Sequence, residues 1–442
     1  VIDYRLTMAR TETEPMRPLW VLTAPAGAEF SELEGEQRAQ VAVVGAGYTG
    51  LSAALHLSEQ GIDSVLLDGQ AIGERASGLN GGQVIAGVKY DPEQLLQKFG
   101  PRLGPQLIAT VGGGPELVFE LIRKHGIDCQ PVRSGWIQAA TSEYELARVR
   151  ARVAQWRRYG ADAEVLSRAD TAHLIGSDYY LGGWIDRRGG TVQPLSYARG
   201  LARAAQRAGT RIHTRSPAVS LSSDGHGWRV DTPRGSVTAA TVVLATDAYT
   251  DALVEPLRRS LVAVPSLQVA TAPLPAAVRG SILPQGQSVS DTGHLLRYFR
   301  LDAGGRLLMG SRGAFDRTPS PHSTKHLYRA VREIFPRLGE PAFEFHWSGL
   351  VAITTDRLPH LHQLAPGLIA GLGYNGRGVA MATTMGRLLA RLAAGEPAAA
   401  LGFPVSELRP VRLHRFARLA ARATMQFLKV QDRVARRRAQ SG

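Results

Sequence analysis

Gly45, Gly47 and Gly50 stand at the spacing that lets a main-chain turn cradle a pyrophosphate. Gly45 permits the tight turn, Gly47 lets phosphate oxygens reach the backbone, and Gly50 lets the next helix pack closely on its strand. A helix starting there offers free N–H groups and its positive dipole end to an anion. Tyr48 and Thr49 open that helix. Asp68 follows 23 residues after Gly45, where a carboxylate grips ribose hydroxyls. Residues 73–83 add Gly73, Gly78, Gly81 and Gly82 together with Ser77, Asn80 and Gln83. Such a backbone passes close to a flat ring or to phosphates, although a plain flexible loop has a similar composition. Gly371, Gly373 and Gly376 repeat the first spacing further along.

The elements that must position these residues are legible around them. Residues 41–44 are a short β-branched run before the turn. Leu51, Ala54, Leu55 and Leu57 then recur at helical spacing up to Gly61, a residue suited to ending a helix. Residues 65–67 form the next strand and end in Asp68. Strand, glycine turn, helix, strand and acid make the first half of a dinucleotide-binding fold. Helical patterns recur at 115–124, 143–159 and 326–335, and strands at 211–214, 228–232 and 241–245. Residues 260–313 are rich in strand patterns. A last strand at 368–372 leads through Gly373–Gly378 into a long apolar helix ending near residue 394. No second strand–helix–strand unit or acid follows the later glycine run, which argues against a second dinucleotide site there.

Composition narrows the function classes. Of 442 residues, 44% are hydrophobic and 20% charged, which describes a globular chain with ample core and two or three domains. The single cysteine, Cys129, excludes a disulfide framework and a cysteine-rich zinc site, and no HExxH is present. The balance of 52 basic and 38 acidic residues gives +14. Residues 403–442 hold ten Arg or Lys against Glu407 and Asp432, a net of +8, so the excess lies mainly on a tail. That distribution does not make the body a nucleic-acid binder. No apolar targeting run opens the chain and no stretch reaches about 18 apolar residues, so the expected compartment is the cytoplasm. In the tail, Leu413, Phe416, Leu419 and Ala420 recur at helical spacing among Arg412, Arg415, Arg418 and Arg422. Two readings stand: a helix packed on the body with a solvated basic face, or a basic amphipathic helix touching the inner face of an anionic membrane.

Residues 41–57 with 76–83 resemble the D-amino-acid-oxidase superfamily of FAD-dependent oxidoreductases. Within it they are most similar to the gamma-glutamylputrescine oxidase-like branch. The resemblance continues at Gly189–Pro194, at 241–249 with Ala245, Thr246 and Asp247, at 298–310, at Trp347–Leu350 with Thr355–Pro359, and at 371–379. It implies an α/β fold: a discontinuous FAD-binding Rossmann-like domain (36–100, 185–255, 345–400) and a mixed α+β substrate domain (101–184, 256–344). An N-terminal arm (1–35) and a basic helical tail (401–442) flank them. It further implies FAD contacts at Val219 and at Gly373, Tyr374, Asn375, Gly376, Arg377 and Gly378, where a helix start would face the flavin pyrimidine edge.

The implied activity is oxidation of a primary or secondary amine to an imine that hydrolyses to an aldehyde. Oxygen or a respiratory carrier would be the acceptor, and no nucleic acid is expected as partner. Some relatives attach flavin through a cysteine near the Thr355-Asp356 motif; here Ser348 and Gly349 stand there, so the expected FAD is non-covalent. Free amino-acid oxidases often carry Gly-Leu-Arg-Pro where this chain has Gly349-Leu-Val-Ala352, and valine cannot pair a carboxylate. A plain α-amino acid is therefore less expected; a γ-glutamylated polyamine is the favoured class, with a cyclic or N-methyl amino acid next. A tRNA-modifying flavoprotein is the alternative of a different class, and a basic groove entering the flavin cleft would favour it. A member that keeps FAD only for structure is the third.

Such chemistry depends on orientation, so aromatic side chains are the candidates for the reacting space. They are Tyr298, Tyr249, Trp347 and Tyr374. Lys89 is the one lysine close in sequence to a flavin motif, since the strand at 306–310 carries none. His294 and His346 precede two of the aromatics, and histidine is the side-chain type suited to taking an amine proton.

Overall fold

The computed structural model describes residues 18–412 except 224, 294, 295 and 313–320, together with 414, 416 and 423. Gly35–Val44 is the central strand of the first sheet, parallel to Ser64–Leu67 on one side and Gly235–Leu244 on the other. Arg211–His213 extends the sheet beyond Ser64–Leu67, and Leu368–Leu372 extends it beyond Gly235–Leu244. Val41 to Val44 are all buried, as expected for a strand covered on both faces.

Two helices cover one face of this sheet. Tyr48–Glu59 and Gly378–Ala393 approach so closely that a Cβ at Gly386 would lie 2.4 Å from the Thr49 carbonyl oxygen. The later glycine run therefore leads into a helix packed on the first one. Among the described residues it opens no second nucleotide-binding unit.

The second sheet runs Phe343–Thr354, Leu261–Pro273, Arg306–Arg312, Arg297–Leu301, Ser288–Asp291, Trp136–Ala140, Gly182–Asp186, Ala163–Leu166. Its longest strand alternates. Leu267 and Val269 enter a core with Leu327, Val331 and Ile334 of helix Pro321–Ile334, while Val264, Ser266 and Gln268 face the first sheet's side. This polar-against-apolar period of two puts chemistry on one face and packing on the other.

Three expectations change. Helices Pro92–Gly112 and Gly114–His125 bury Leu107, Val118 and Leu121 in a core that holds Leu388 and Leu389 of the covering helix as well as Trp136 and Trp184 of the second sheet, so residues 101–125 do not stand with the second sheet alone. Phe343–Thr354 pairs with Leu261–Pro273 over eleven positions and stands with the second sheet, not the first. The segment read as a surface arm contains helix Leu19–Thr23, whose Leu19 and Trp20 are fully buried, Trp20 lying edge-on to Trp347 at 6.0 Å. Two large apolar side chains outweigh the proline-rich polar surroundings. Among the described residues no helix is long and apolar enough to cross a membrane. Most of the tail pattern, including Leu413, Arg415, Leu419 and Ala420, lies outside the described residues.

Candidate active site

A cavity of about 550 Å³ runs between the ends of the first sheet's strands and the polar face of the second. A wider, more open hollow beside Phe30, His213 and Arg234 touches none of the residues discussed below.

The glycine turn forms one end. Gly45 has φ of 105°, and a Cβ there would lie 2.8 Å from the Ala245 carbonyl oxygen. A Cβ at Gly50 would lie 1.8 Å from the Gly45 oxygen, so Gly50 sets the helix against the turn. Asp68 accepts the Ala46 N–H at 2.6 Å and the Gln70 N–H at 2.8 Å, which ties the turn to the end of the second strand. Burial pushes its carboxyl up, against those two hydrogen bonds. The Tyr48 N–H donates to Ser77 Oγ at 3.0 Å. Asn80 donates to the Ala76 and Ser77 carbonyls and to the Tyr48 hydroxyl, and accepts the Gly82 N–H at 2.8 Å. Ser77 and Asn80 thus lock the glycine-rich loop over the helix start. Gln83 lines the cavity and donates to the Val289 carbonyl.

The later glycine run enters from the opposite side. Asp247, at φ of 42°, accepts the Gly373 N–H at 2.7 Å, and burial pushes its carboxyl up to about 6. Asn375 accepts the Thr354 N–H at 3.1 Å, and the Tyr374 hydroxyl meets Thr49 Oγ1 at 2.5 Å. The Arg377 guanidinium donates to the Ala86 carbonyl at 2.5 Å and lies over Trp136 at 5.4 Å. It belongs to the cavity wall, not to a surface ion pair. Burial, and then Arg152, push it down to about 10.

The second sheet supplies the remaining wall. The Tyr298 hydroxyl meets Ser266 Oγ at 3.0 Å, and burial pushes it up to about 12. Its ring fits because two neighbours lack side chains: a Cβ at Gly310 would sit 2.1 Å from the ring and one at Gly81 2.8 Å. Tyr249 accepts the Leu350 N–H at 3.4 Å beneath the Arg75 guanidinium. Gln268 donates to the Leu79 carbonyl at 2.5 Å and leaves its buried Oε1 without a partner. Lys89 opens onto the cavity, and the protein mass around it, then Arg377, Arg312 and Arg357, push its ammonium down to about 7.

Gly45, Gly47, Tyr48, Thr49, Asp68, Ser77, Asn80, Gly81, Gln83, Ala245, Thr246, Asp247, Tyr249, Lys89, Tyr298, Tyr374, Asn375, Gly376, Arg377 and Gly378 therefore converge on one cavity. Among the cofactor candidates, four do not line it. Gly50 acts by packing, as above. Gly82, at φ of 69°, supplies a bend in which a Cβ would meet the Val192 carbonyl at 2.1 Å. Gly373 offers its N–H to Asp247. Val219 is corrected: it is 59% exposed, and Pro217 and Ala218 line the cavity instead. Trp347 is corrected too. It is buried behind the loop, where its indole N–H donates to the Leu79 carbonyl at 2.9 Å. His346 lines no part of the wall, and His294 lies outside the described residues. Sequence reasoning missed Ser266, Gln268, Arg75 and Arg312. Polar residues alternating with Leu267 and Val269 were the available signal for the first two.

The cradle suits an elongated ligand with a phosphate middle: bare glycine backbone at Gly47, a helix start, and a carboxylate at a strand end. The unpartnered Gln268 oxygen and the flat Gly81–Tyr298 surface suit a ring beyond it. Among the described residues no group of three His, Cys, Asp or Glu could hold a metal.

The family model for FAD dependent oxidoreductases matches residues 40–392. Gamma-glutamylputrescine oxidoreductase of Escherichia coli is 31% identical over 87% of this chain and 90% of its own length. Probable oxidoreductase OrdL of Haemophilus influenzae is 31% identical over 83% and 86%. Among solved structures, glycine oxidase from Geobacillus kaustophilus superposes with a TM-score of 0.71 at 25% identity, covering 85% of this chain and 99% of that one.

Proposed function

The chain belongs to the family of FAD dependent oxidoreductases, and from that premise we propose that it oxidises the terminal amine of a γ-glutamyl polyamine, or a close relative, to an imine. Water then splits the imine to an aldehyde and ammonia. Bound FAD supplies the two-electron acceptor for this reaction.

The chain's own residues hold and orient. The turn at Gly45 and Gly47 with the helix start at Tyr48 receives the pyrophosphate, and Asp68 the ribose hydroxyls. Loop 73–83, locked by Ser77 and Asn80, and the helix start at Gly376–Gly378 enclose the ring. That second helix start and Arg377 present positive potential to developing negative charge. Tyr298 and Tyr249 steer the amine, with the Tyr298 hydroxyl pinned by Ser266. FAD is held without a covalent bond to sulfur: Cys129 is buried and lies outside the cavity wall.

One observation carries the choice of substrate. Val351 lines the cavity where the resembling free amino-acid oxidases often carry an arginine for the substrate carboxylate, so no cation stands at that position to anchor one. That supports an amine whose carboxylate is remote or lacking. The test is anaerobic titration of the flavin-containing protein with γ-glutamylputrescine, putrescine, sarcosine, proline and glycine, followed by air. Bleaching of the visible flavin band by γ-glutamylputrescine at the lowest concentration is the expected result. Fast recovery in air identifies oxygen as acceptor, and slow recovery a respiratory carrier. Bleaching by glycine or proline alone overturns the reading.

A further inference from the structure

We infer that Arg312 and Lys89 form an anion subsite in the cavity wall that holds a carboxylate of the amine substrate; this rests on the amine-oxidising reading above. Both side chains line the cavity, and neither has an ion-pair or hydrogen-bond partner among the described residues. Several other arginines are answered by carboxylates, while Arg75 lies over the Tyr249 ring at 5.1 Å. Arg152 pairs with Asp91 at 2.5 Å, Arg188 with Asp186 at 2.6 Å, and Arg297 with Asp291 at 2.8 Å. The carboxylates in the cavity wall are all committed elsewhere. Asp68 accepts two backbone N–H groups, Asp247 accepts that of Gly373, and Asp251 that of Leu253.

The sheet register sets the geometry. Arg312 is directly opposite Ser266, and Ser266 is directly opposite Gly349 on its other side. In-register neighbours share a face, so Arg312 stands on the same face as Ser266 and the Tyr298 hydroxyl that Ser266 holds. Two strands, about 10 Å, separate the Arg312 position from the strand carrying Val351. Cations crowd this wall: burial and then Arg357 push the Arg312 guanidinium down, and Arg312 is among the charges that push the Lys89 ammonium down. A bound carboxylate relieves that repulsion. Arg312 offers a planar fork that takes a carboxylate through two hydrogen bonds, and Lys89 a compact charge. A substrate that carries a carboxylate besides its amine fits both demands.

The experiment compares γ-glutamylputrescine with 4-aminobutyrylputrescine, the same molecule without the α-carboxylate. Half-saturation of flavin reduction is the measure. The carboxylate is expected to lower it about tenfold. Arg312→Gln and Lys89→Met each narrow that gap, with flavin content and melting temperature as controls. Glutarate, an unreactive dicarboxylate, supplies a readout that needs no turnover. It perturbs the oxidised flavin spectrum of the wild-type holoenzyme, more weakly as salt rises, and far less in Arg312→Gln. Equal half-saturation for the two amines, or an unaltered gap in both variants, overturns the subsite and leaves the amine-oxidising reading standing. Reduction by neither amine sinks that reading, and the glutarate titration then decides the subsite alone. Bulk tRNA displacing glutarate assigns the cations to nucleic acid and overturns the proposal.

Discussion

Asp247 ties the strand end Leu244–Asp247 to the loop that starts at Gly373, and its replacement by asparagine isolates what its charge costs. Asparagine keeps an oxygen for the Gly373 N–H and tolerates the left-handed φ of 42°. The wild-type carboxyl is raised from 3.8 to about 6 by burial, opposed by hydrogen bonds from Gly373 and Ala248. A carboxyl raised on folding binds its proton more tightly in the native state. Its stabilising contribution is complete below the unfolded value of 3.8 and is lost as pH rises through about 6. The full span corresponds to about 3 kcal/mol, of which about 2 kcal/mol falls between pH 4.5 and pH 7.5. Asp247 is partly open to the cavity, so water there reduces the figure toward about 1 kcal/mol. Equilibrium urea unfolding of cofactor-free wild type and Asp247→Asn at the two pH values measures it. Wild type should lose about 1–2 kcal/mol relative to the variant on going to the higher pH. Parallel stability curves for the two proteins would refute a raised, proton-holding Asp247.

Gly50→Ala places a methyl group 1.8 Å from the Gly45 oxygen and should cost at least about 1–3 kcal/mol; the flavin-to-protein absorbance ratio and melting temperature should both fall. Tyr298→Phe removes the hydroxyl held by Ser266 and should slow flavin reduction by the amine about tenfold at unchanged flavin content, checked by anaerobic stopped flow. Trp347→Ala empties a buried site and strips one donor from the Leu79 carbonyl, for about 3–5 kcal/mol by urea unfolding with reduced flavin retention; Trp347→Phe, which loses mainly the hydrogen bond, should cost less.

The local signals were the legible ones. The run from residue 41 to Asp68 announced strand, turn, helix and acid because each depends on neighbours within a few residues: β-branching, φ above zero at Gly45, helical spacing of leucines. The loop at 73–83 was legible from its glycines for the same reason. Pairing across the sheets was not. Nothing within residues 343–354 says that they add to Leu261–Pro273, since that choice is made by a partner eighty residues away. Trp347 shows the consequence: it is in register with the cavity residue Gln268, yet its indole N–H is spent on the Leu79 carbonyl and it braces that loop from behind. Val219 failed by one position, which in extended chain is enough to send a side chain to solvent. Arg312 was passed over because the 306–310 strand was read for a lysine that it lacks, and its solitude appears only when every nearby carboxylate is accounted for.

The cavity wall draws on residues from Val44 to Ala382, and the central strand Gly35–Val44 has neighbours at Ser64–Leu67 and at Gly235–Leu244, which in turn waits for Leu368–Leu372. On the ribosome, the first half of the nucleotide cradle emerges some three hundred residues before the helix that covers it. The first sheet cannot complete its pairing beyond Gly235–Leu244 until Leu368–Leu372 has left the exit tunnel, nor can Tyr48–Glu59 bury its partner face until Gly378–Ala393 has. Cofactor uptake is therefore a late event in biogenesis, and nascent chains spend most of their synthesis with an unfinished parallel sheet exposed to aggregation. Expression yield should respond to translation speed and to chaperone supply more than to flavin supply.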